Sequence, residues 1–152
     1  MALIKLNNQS ISAVDVGKVL QVVNSTHSST ALTNGTSYVD SGLSVSITPS
    51  SASSKIYVIY SSGMETNGTT AHKGICAIFR DSTNINELSF KQQANSEAGS
   101  PHHPICSQVL DSPNTTSSVT YKMKFKSNSS GVYVVAQIDS HEGSISVMEI
   151  EN

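Results

Sequence analysis

A chain of 152 residues, 37% hydrophobic and 13% charged, fits one domain with one core, because folding at that size buries about 70% of the unfolded surface. Nine basic residues against eleven acidic ones give a net charge of −2, which removes the basic footprint that nucleic-acid binding requires. The start MALIKLNNQSIS has no basic segment leading into a long apolar one, and no apolar run reaches membrane-spanning length, so neither an export signal nor membrane insertion is expected.

Residues 1–17 scatter Leu3, Ile4, Leu6, Ile11, Val14 and Val16 among Asn7, Asn8, Gln9 and Ser10 in neither helical nor alternating order. Such a segment reads as an extended arm whose spaced apolar anchors order against a partner's sheet edge. The expected division is therefore an attachment arm, 1–17, anchored by Leu3, Ile4, Leu6 and Ile11, and a β-sandwich, 18–152.

From residue 18 onward no long window shows a 3.6-residue period, whereas short alternating or wholly apolar runs recur. They predict strands at 18–24, 43–48, 55–62, 74–80, 86–91, 105–110, 118–126, 132–138 and 144–150. The segments between them are rich in Asn, Gly, Pro and Ser, which supply turn conformations. Serine and threonine fill roughly a quarter of the chain and suit pleated outer faces. The fold class is all-β: an antiparallel β-sandwich, jelly-roll-like.

Two kinds of strand stand out. In VTYKMKFK, Tyr121, Met123 and Phe125 alternate with Lys122, Lys124 and Lys126, the pattern of a sheet with one wet face. In KIYVIY, ICAIF and VYVVA both parities are apolar, so a second face needs covering, and another copy of the chain is the expected cover. The predicted interface comprises Ile56, Tyr57, Val58, Ile59, Tyr60, Val132, Tyr133, Val134 and Val147.

No catalytic signature accompanies the Ser, His and Asp residues. A Gly-X-Ser-X-Gly elbow, a carboxylate pair and a phosphate loop are all missing, so the chain is expected not to be an enzyme and to use no cofactor. Cys76 and Cys106 follow no metal spacing and read as buried free thiols. His102 and His103 in SPHHP lie far in sequence from His141 and Glu142, and no spacing aims these rings at one metal ion. Polar loops 65–74 and 92–104 are the expected sites of external contact, through Asn67, Thr69, His72, His102 and His103. Six Asn-X-Ser/Thr sequons, at Asn8, Asn24, Asn34, Asn67, Asn114 and Asn128, follow from Ser/Thr abundance, and glycosylation is not expected.

Four segments, MALIKLNNQSIS, TSYVDSGLSVSITPSSASSKIYV, LDSPNTTSSVTYKMKFKS and ISVMEIEN, resemble in order and spacing the knob-type virion proteins of tailed bacteriophages, those of marine bacteria above all. The resemblance implies a homotrimeric jelly roll similar to the tumour-necrosis-factor head, packed around a threefold axis. It further implies a tail appendage or capsid decoration on the virion surface, assembled in the host cytoplasm. The implied partners are other copies of itself, other phage virion proteins of capsid or tail, and a host-surface glycan or protein. Unlike a long fibre, the chain has no heptad or β-helical shaft, so attachment falls to the arm. The alternative reading is a free carbohydrate-binding module of lectin type.

Overall fold

The computed structural model describes residues 17–67, 72–91 and 102–152; the arm anchors Leu3, Ile4, Leu6 and Ile11, and Thr69, lie outside them. Ten strands follow in order: β1 (Val19–His27), β2 (Ala31–Thr33), β3 (Val39–Ile47), β4 (Lys55–Asn67), β5 (Lys73–Arg80), β6 (Thr83–Lys91), β7 (His102–Asp111), β8 (Val119–Ser127), β9 (Tyr133–Ala136) and β10 (Gly143–Ile150). All nine predicted strands are present. The added element, β2, is three residues long, too short for an alternation to register.

Pairing reduces these ten strands to eight rows. Strand β4 is long enough to pair with β10 through Lys55–Ser61 and with β9 through Met64–Asn67 on the same side. Strands β9 and β10 are therefore one row, interrupted by an excursion at 137–142. Against that row run β1 and then β2. The first sheet is thus β1/β2, β10/β9, β4, β7, and the second is β3, β8, β5, β6. With the rows numbered along the chain, the orders are 1-8-3-6 and 2-7-4-5. This is the wiring of a jelly roll.

The core lies between the sheets, and the parity of each strand explains who enters it. Leu43, Val45 and Ile47 of β3 meet Ile56, Val58, Tyr60 and Met64 of β4, with Tyr121, Met123 and Phe125 of β8 and Ile145 and Val147 of β10 completing the layer. Each large apolar side chain so buried contributes about 1.5–3 kcal/mol. The alternating serines of β3 and lysines of β8 take the solvent side.

Two polar clasps, on either side of Ile56, close one end of the sandwich. Arg80 of β5 donates to both carboxylate oxygens of Asp111 on β7 at 2.8 and 2.9 Å, and the Tyr121 hydroxyl donates to the same carboxylate at 2.8 Å. At the other clasp Glu149 of β10 is wholly buried. It accepts from Gln21 Nε2 at 2.6 Å, the Ser50 amide at 2.8 Å and the Ser50 hydroxyl at 2.7 Å. Burial alone would raise the Glu149 carboxyl, but hydrogen bonds from Gln21, Ser50 and Ser54 outweigh it and hold the group at about 2. Strand β3 bends at a bulge between Asp40 and Ser44. Gly42 there has φ 91°, and a Cβ would fall 2.2 Å from the His27 ring, so glycine is required twice over.

Strand β5 corrects one expectation. ICAIF lies in the lysine-bearing second sheet, and its outer apolar side is covered by the same chain. The Tyr38 ring meets Phe79 edge-on at 5.1 Å, Lys124 stands 5.1 Å over Phe79 and Lys126 4.1 Å over Tyr38. Long lysine stems and a cation over each ring replace a second copy there.

Candidate functional site

Among the described residues, the exposed apolar side chains gather on the outer face of the first sheet. Its register aligns outward side chains in rows across all four strands. Val22, Met148, Tyr57 and Leu110 form one row; Asn24, Ser146, Ile59 and Gln108 the next; Thr26, Ser144, Ser61 and Cys106 the third. None of these residues is charged. The outer face of the second sheet, by contrast, carries Lys122, Lys124, Lys126, Asp40 and Glu87. Depletion of charge marks the centre of a protein–protein contact better than bulk hydrophobicity does.

The first row is apolar from edge to edge, with Val22 58% and Leu110 56% exposed. Val19 and Leu20 extend it along β1, also exposed. In the second and third rows neighbouring side chains satisfy one another: Asn24 Nδ2 donates to Ser146 Oγ at 2.8 Å, the Tyr57 hydroxyl to Gln108 Oε1, and Ser61 and Ser144 share a hydroxyl contact at 3.2 Å. A face whose polar groups are already paired can be covered without stranding donors or acceptors.

The predicted interface residues divide by parity. Ile56, Val58, Tyr60, Val134 and Val147 point inward and form the chain's own core, and Val132 is buried as well; a partner cannot reach them. Tyr57 and Ile59 point outward and are half-buried, while Tyr133 on β9 is 47% exposed. Val22, Met148 and Leu110 complete the apolar row with Tyr57 and are not among the residues predicted from the sequence. The signal was present in KVLQVVN and ICSQVL, where apolar residues occupy both parities.

The other end of the same face forms a cleft of about 470 Å³. Its floor is Ser61 and Gly63 of β4 and Pro104 and Cys106 of β7, and its wall is Ile138, His141 and Glu142 of the 137–142 excursion. Ile138 overlies Gly63, where a Cβ would meet its Cγ2 at 3.3 Å. The excursion holds three non-glycine residues at positive φ, Gln137 at 51°, Asp139 at 54° and Ser140 at 59°, each a strain of roughly 1–3 kcal/mol. Bonds hold it in place: Thr30 Oγ1 donates to the Gln137 carbonyl at 2.8 Å, Gln137 Nε2 to Ser62 Oγ at 3.2 Å, and the His141 amide to the Ile138 carbonyl at 3.0 Å.

The fold joins His102, His103, His141 and Glu142, which the sequence separates, around this cleft. His102 lies 3.7 Å from Glu65 and 4.0 Å from Asp139. His103 turns inward, its ring 5.4 Å from that of Phe90. Both histidines belong to β7, which begins three residues earlier than predicted. Pro104 had marked a loop, but β7 pairs only with β4 and an edge strand tolerates proline. His72 is buried before β5, away from an external contact; Asn67 ends β4 and its side chain lies outside the described residues. Among the described residues no three His, Cys, Asp or Glu side chains form a metal-binding group, and no helix is long and apolar enough to cross a membrane.

The cysteines differ from each other. Cys76 is buried, its thiol 3.0 Å from Met64 Sδ and pushed up to about 12 by burial. Cys106 is exposed on the cleft floor, contrary to the expectation of two buried thiols.

No family model and no curated protein matches the sequence. Among solved structures, the chain is similar to one titled "Structure of infectious bursal disease virus Gx strain", at 11% identity and a TM-score of 0.50, over 97% of this chain and 36% of that one. It also matches the Gt strain structure, at 10% identity and 0.46 over 99% of this chain and 44% of that one. A third match is to T=1 particles derived from the same virus, at 8% identity and 0.46 over 99% and 42%. The chain thus spans less than half the length of the chains it matches. At 11% identity the likeness to the Gx strain structure is one of fold, and it accords with the jelly-roll wiring read from the strand pairing.

Proposed function

We propose that the chain is a structural protein of a virus particle, a non-catalytic surface knob of the tailed-phage type its sequence resembles, and that it assembles as a homotrimer. The carrying observation is the exposed apolar row Val22, Met148, Tyr57 and Leu110, with the two uncharged rows beside it, on the outer face of the first sheet. The jelly-roll fold shared with a chain of a virus structure supports the virion reading, and the threefold state follows from the resemblance.

The uncharged rows supply part of the contact. Four strands about 4.8 Å apart and the five residues of about 3.3 Å each that carry the three uncharged rows present roughly 300 Å². That is part of the ~800 Å² per partner of a specific interface; in a ring of three the contact is heterologous, so each chain adds a second, different surface to it. Residues 1–17 would fasten the trimer to capsid or tail proteins, with three arms binding together more firmly than one.

Sedimentation velocity at micromolar concentration tests the assembly. The unaltered chain is expected to run as a trimer, and Val22→Asp or Leu110→Asp to run as folded monomer, because an unpaired charge enters a dry contact at a site the isolated fold leaves exposed. Lys122→Glu on the second sheet should leave the trimer intact. A monomer for the unaltered chain would refute the assembly. Antibody labelling of purified particles tests the virion reading, and particles that never bind the antibody would end it.

A further inference from the structure

The cleft beside the excursion has features that the assembly reading does not use. We propose that it binds a neutral sugar residue. The inference adds a ligand to the knob reading and places it on the same sheet face, about four residues, or roughly 13 Å, along the strands from the apolar row.

The chemistry of the lining selects the ligand class. A volume of about 470 Å³ falls in the range of small-molecule sites. Pro104 and Ile138 give an apolar floor and wall, the surface on which the C–H face of a pyranose rests. Around them stand the Ser61 hydroxyl, which both donates and accepts, the His141 imidazole, whose Nδ1 donates to the Ile138 carbonyl at 2.9 Å and leaves Nε2 to accept, and the acceptor carboxylate of Glu142. Sugar hydroxyls likewise donate and accept at each position, so such a rim can satisfy them. Among the described residues no lysine or arginine lines the cleft, and Glu142, with Glu65 and Asp139 beside His102, opposes an acidic ligand. A metal ion finds no group of three ligands among the described residues, and the carboxylates of Glu65 and Asp139 both face His102 Nε2, at 3.7 and 4.0 Å.

The wall is also held in one shape. Gln137, Asp139 and Ser140 stay at positive φ because Thr30 and Ser62 grip Gln137 at backbone and side chain, so little ordering remains for a ligand to impose. Ile138 over Gly63 closes the end nearest β9, leaving the cleft short, which suits one or two sugar rings rather than an extended strand.

The test is a nitrogen–proton correlation NMR titration of the full chain at neutral pH. The probes are D-glucose, D-galactose, N-acetyl-D-glucosamine and L-fucose, with N-acetylneuraminic acid and D-glucosamine as acidic and basic comparators. At least one neutral sugar should give saturable shifts at millimolar concentration, confined to the amides of 61–63, 102, 103, 105, 106 and 138–142. Glu142→Ala removes an exposed carboxylate that makes no hydrogen bond among the described residues, so the fold should persist, and binding should weaken about tenfold for a lost charged hydrogen bond. Absence of saturable shifts with every neutral sugar, a stronger response to either charged comparator, or unchanged binding by Glu142→Ala would each overturn the proposal. Sedimentation of the same samples reads the assembly separately, so failure of the trimer and failure of the sugar site are told apart.

Discussion

Replacing Glu149 by glutamine should loosen the end of the sandwich that carries the apolar row. The carboxylate holds Gln21 of β1 and Ser50 of the turn before β4 against β10, and Met148, beside it in sequence, faces outward in that row. A fall from the usual 4.5 to about 2 corresponds to about 3 kcal/mol of preferential stabilisation of the ionised form in the folded state. Because the folded value lies below the unfolded one, this contribution is complete above pH 4.5, declines as pH falls towards 2, and is gone once both states are protonated. Glutamine keeps one acceptor but turns an amide donor towards the Ser50 amide or Gln21 Nε2, so Glu149→Gln should lose about 2–4 kcal/mol at pH 7. Urea unfolding at fixed protomer concentration, since assembly shifts apparent stability, should show a large gap between the two proteins at pH 7 and a small one near pH 2. A gap under about 0.5 kcal/mol at pH 7, or one of equal size at both pH values, would refute the clasp.

Gly42→Ala should cost about 3 kcal/mol in the same assay, because φ of 91° and the His27 ring both oppose a Cβ; a neutral result would deny the bulge its strain. Arg80→Ala should cost about 1–3 kcal/mol by leaving Asp111 with only the Tyr121 hydroxyl, and Arg80→Lys should recover part of it. With a water-soluble thiol reagent the folded protein should react at Cys106 alone and, in denaturant, at Cys76 too, since one thiol is exposed and the other buried among Met64 and its neighbours; rapid native reaction at Cys76 would contradict the packing.

The strands themselves were legible because burial imposes a period of two. Leu43, Val45 and Ile47, and Tyr121, Met123 and Phe125, all occupy the core side that their alternation indicated. What failed was assigning a cover to strands apolar on both sides. A single sequence shows that β4 and β5 each have two apolar faces, but not which neighbour lies over them. Tyr38, which precedes β3, and the lysines of β8 cover β5 from within the chain, whereas nothing described covers the apolar row across β4. The cleft was illegible for a related reason. His102 and His141 come to line one cleft only because β9 and β10 are one row broken beside β4, a property of pairing that no local pattern carries.

That break gives the first sheet two ends of different character. An unbroken β9–β10 row would leave the outer face flat along its length, and a flat face would let copies slide in register. Instead Ile138 rises over Gly63 at one end, while the other end stays flat and apolar from Val22 to Leu110. A second copy approaching the face therefore meets bulk and carboxylates at the cleft end and finds close approach only at the apolar row. The excursion thus acts twice, shaping a cleft and steering the contact away from it. Shortening it, by joining Ala136 to Gly143 through two glycines, should erase the cleft and allow contacts of mixed register. The expected sign is a broad, concentration-dependent sedimentation boundary in place of a single species, and a single sharp trimer boundary from the shortened chain would refute the steering.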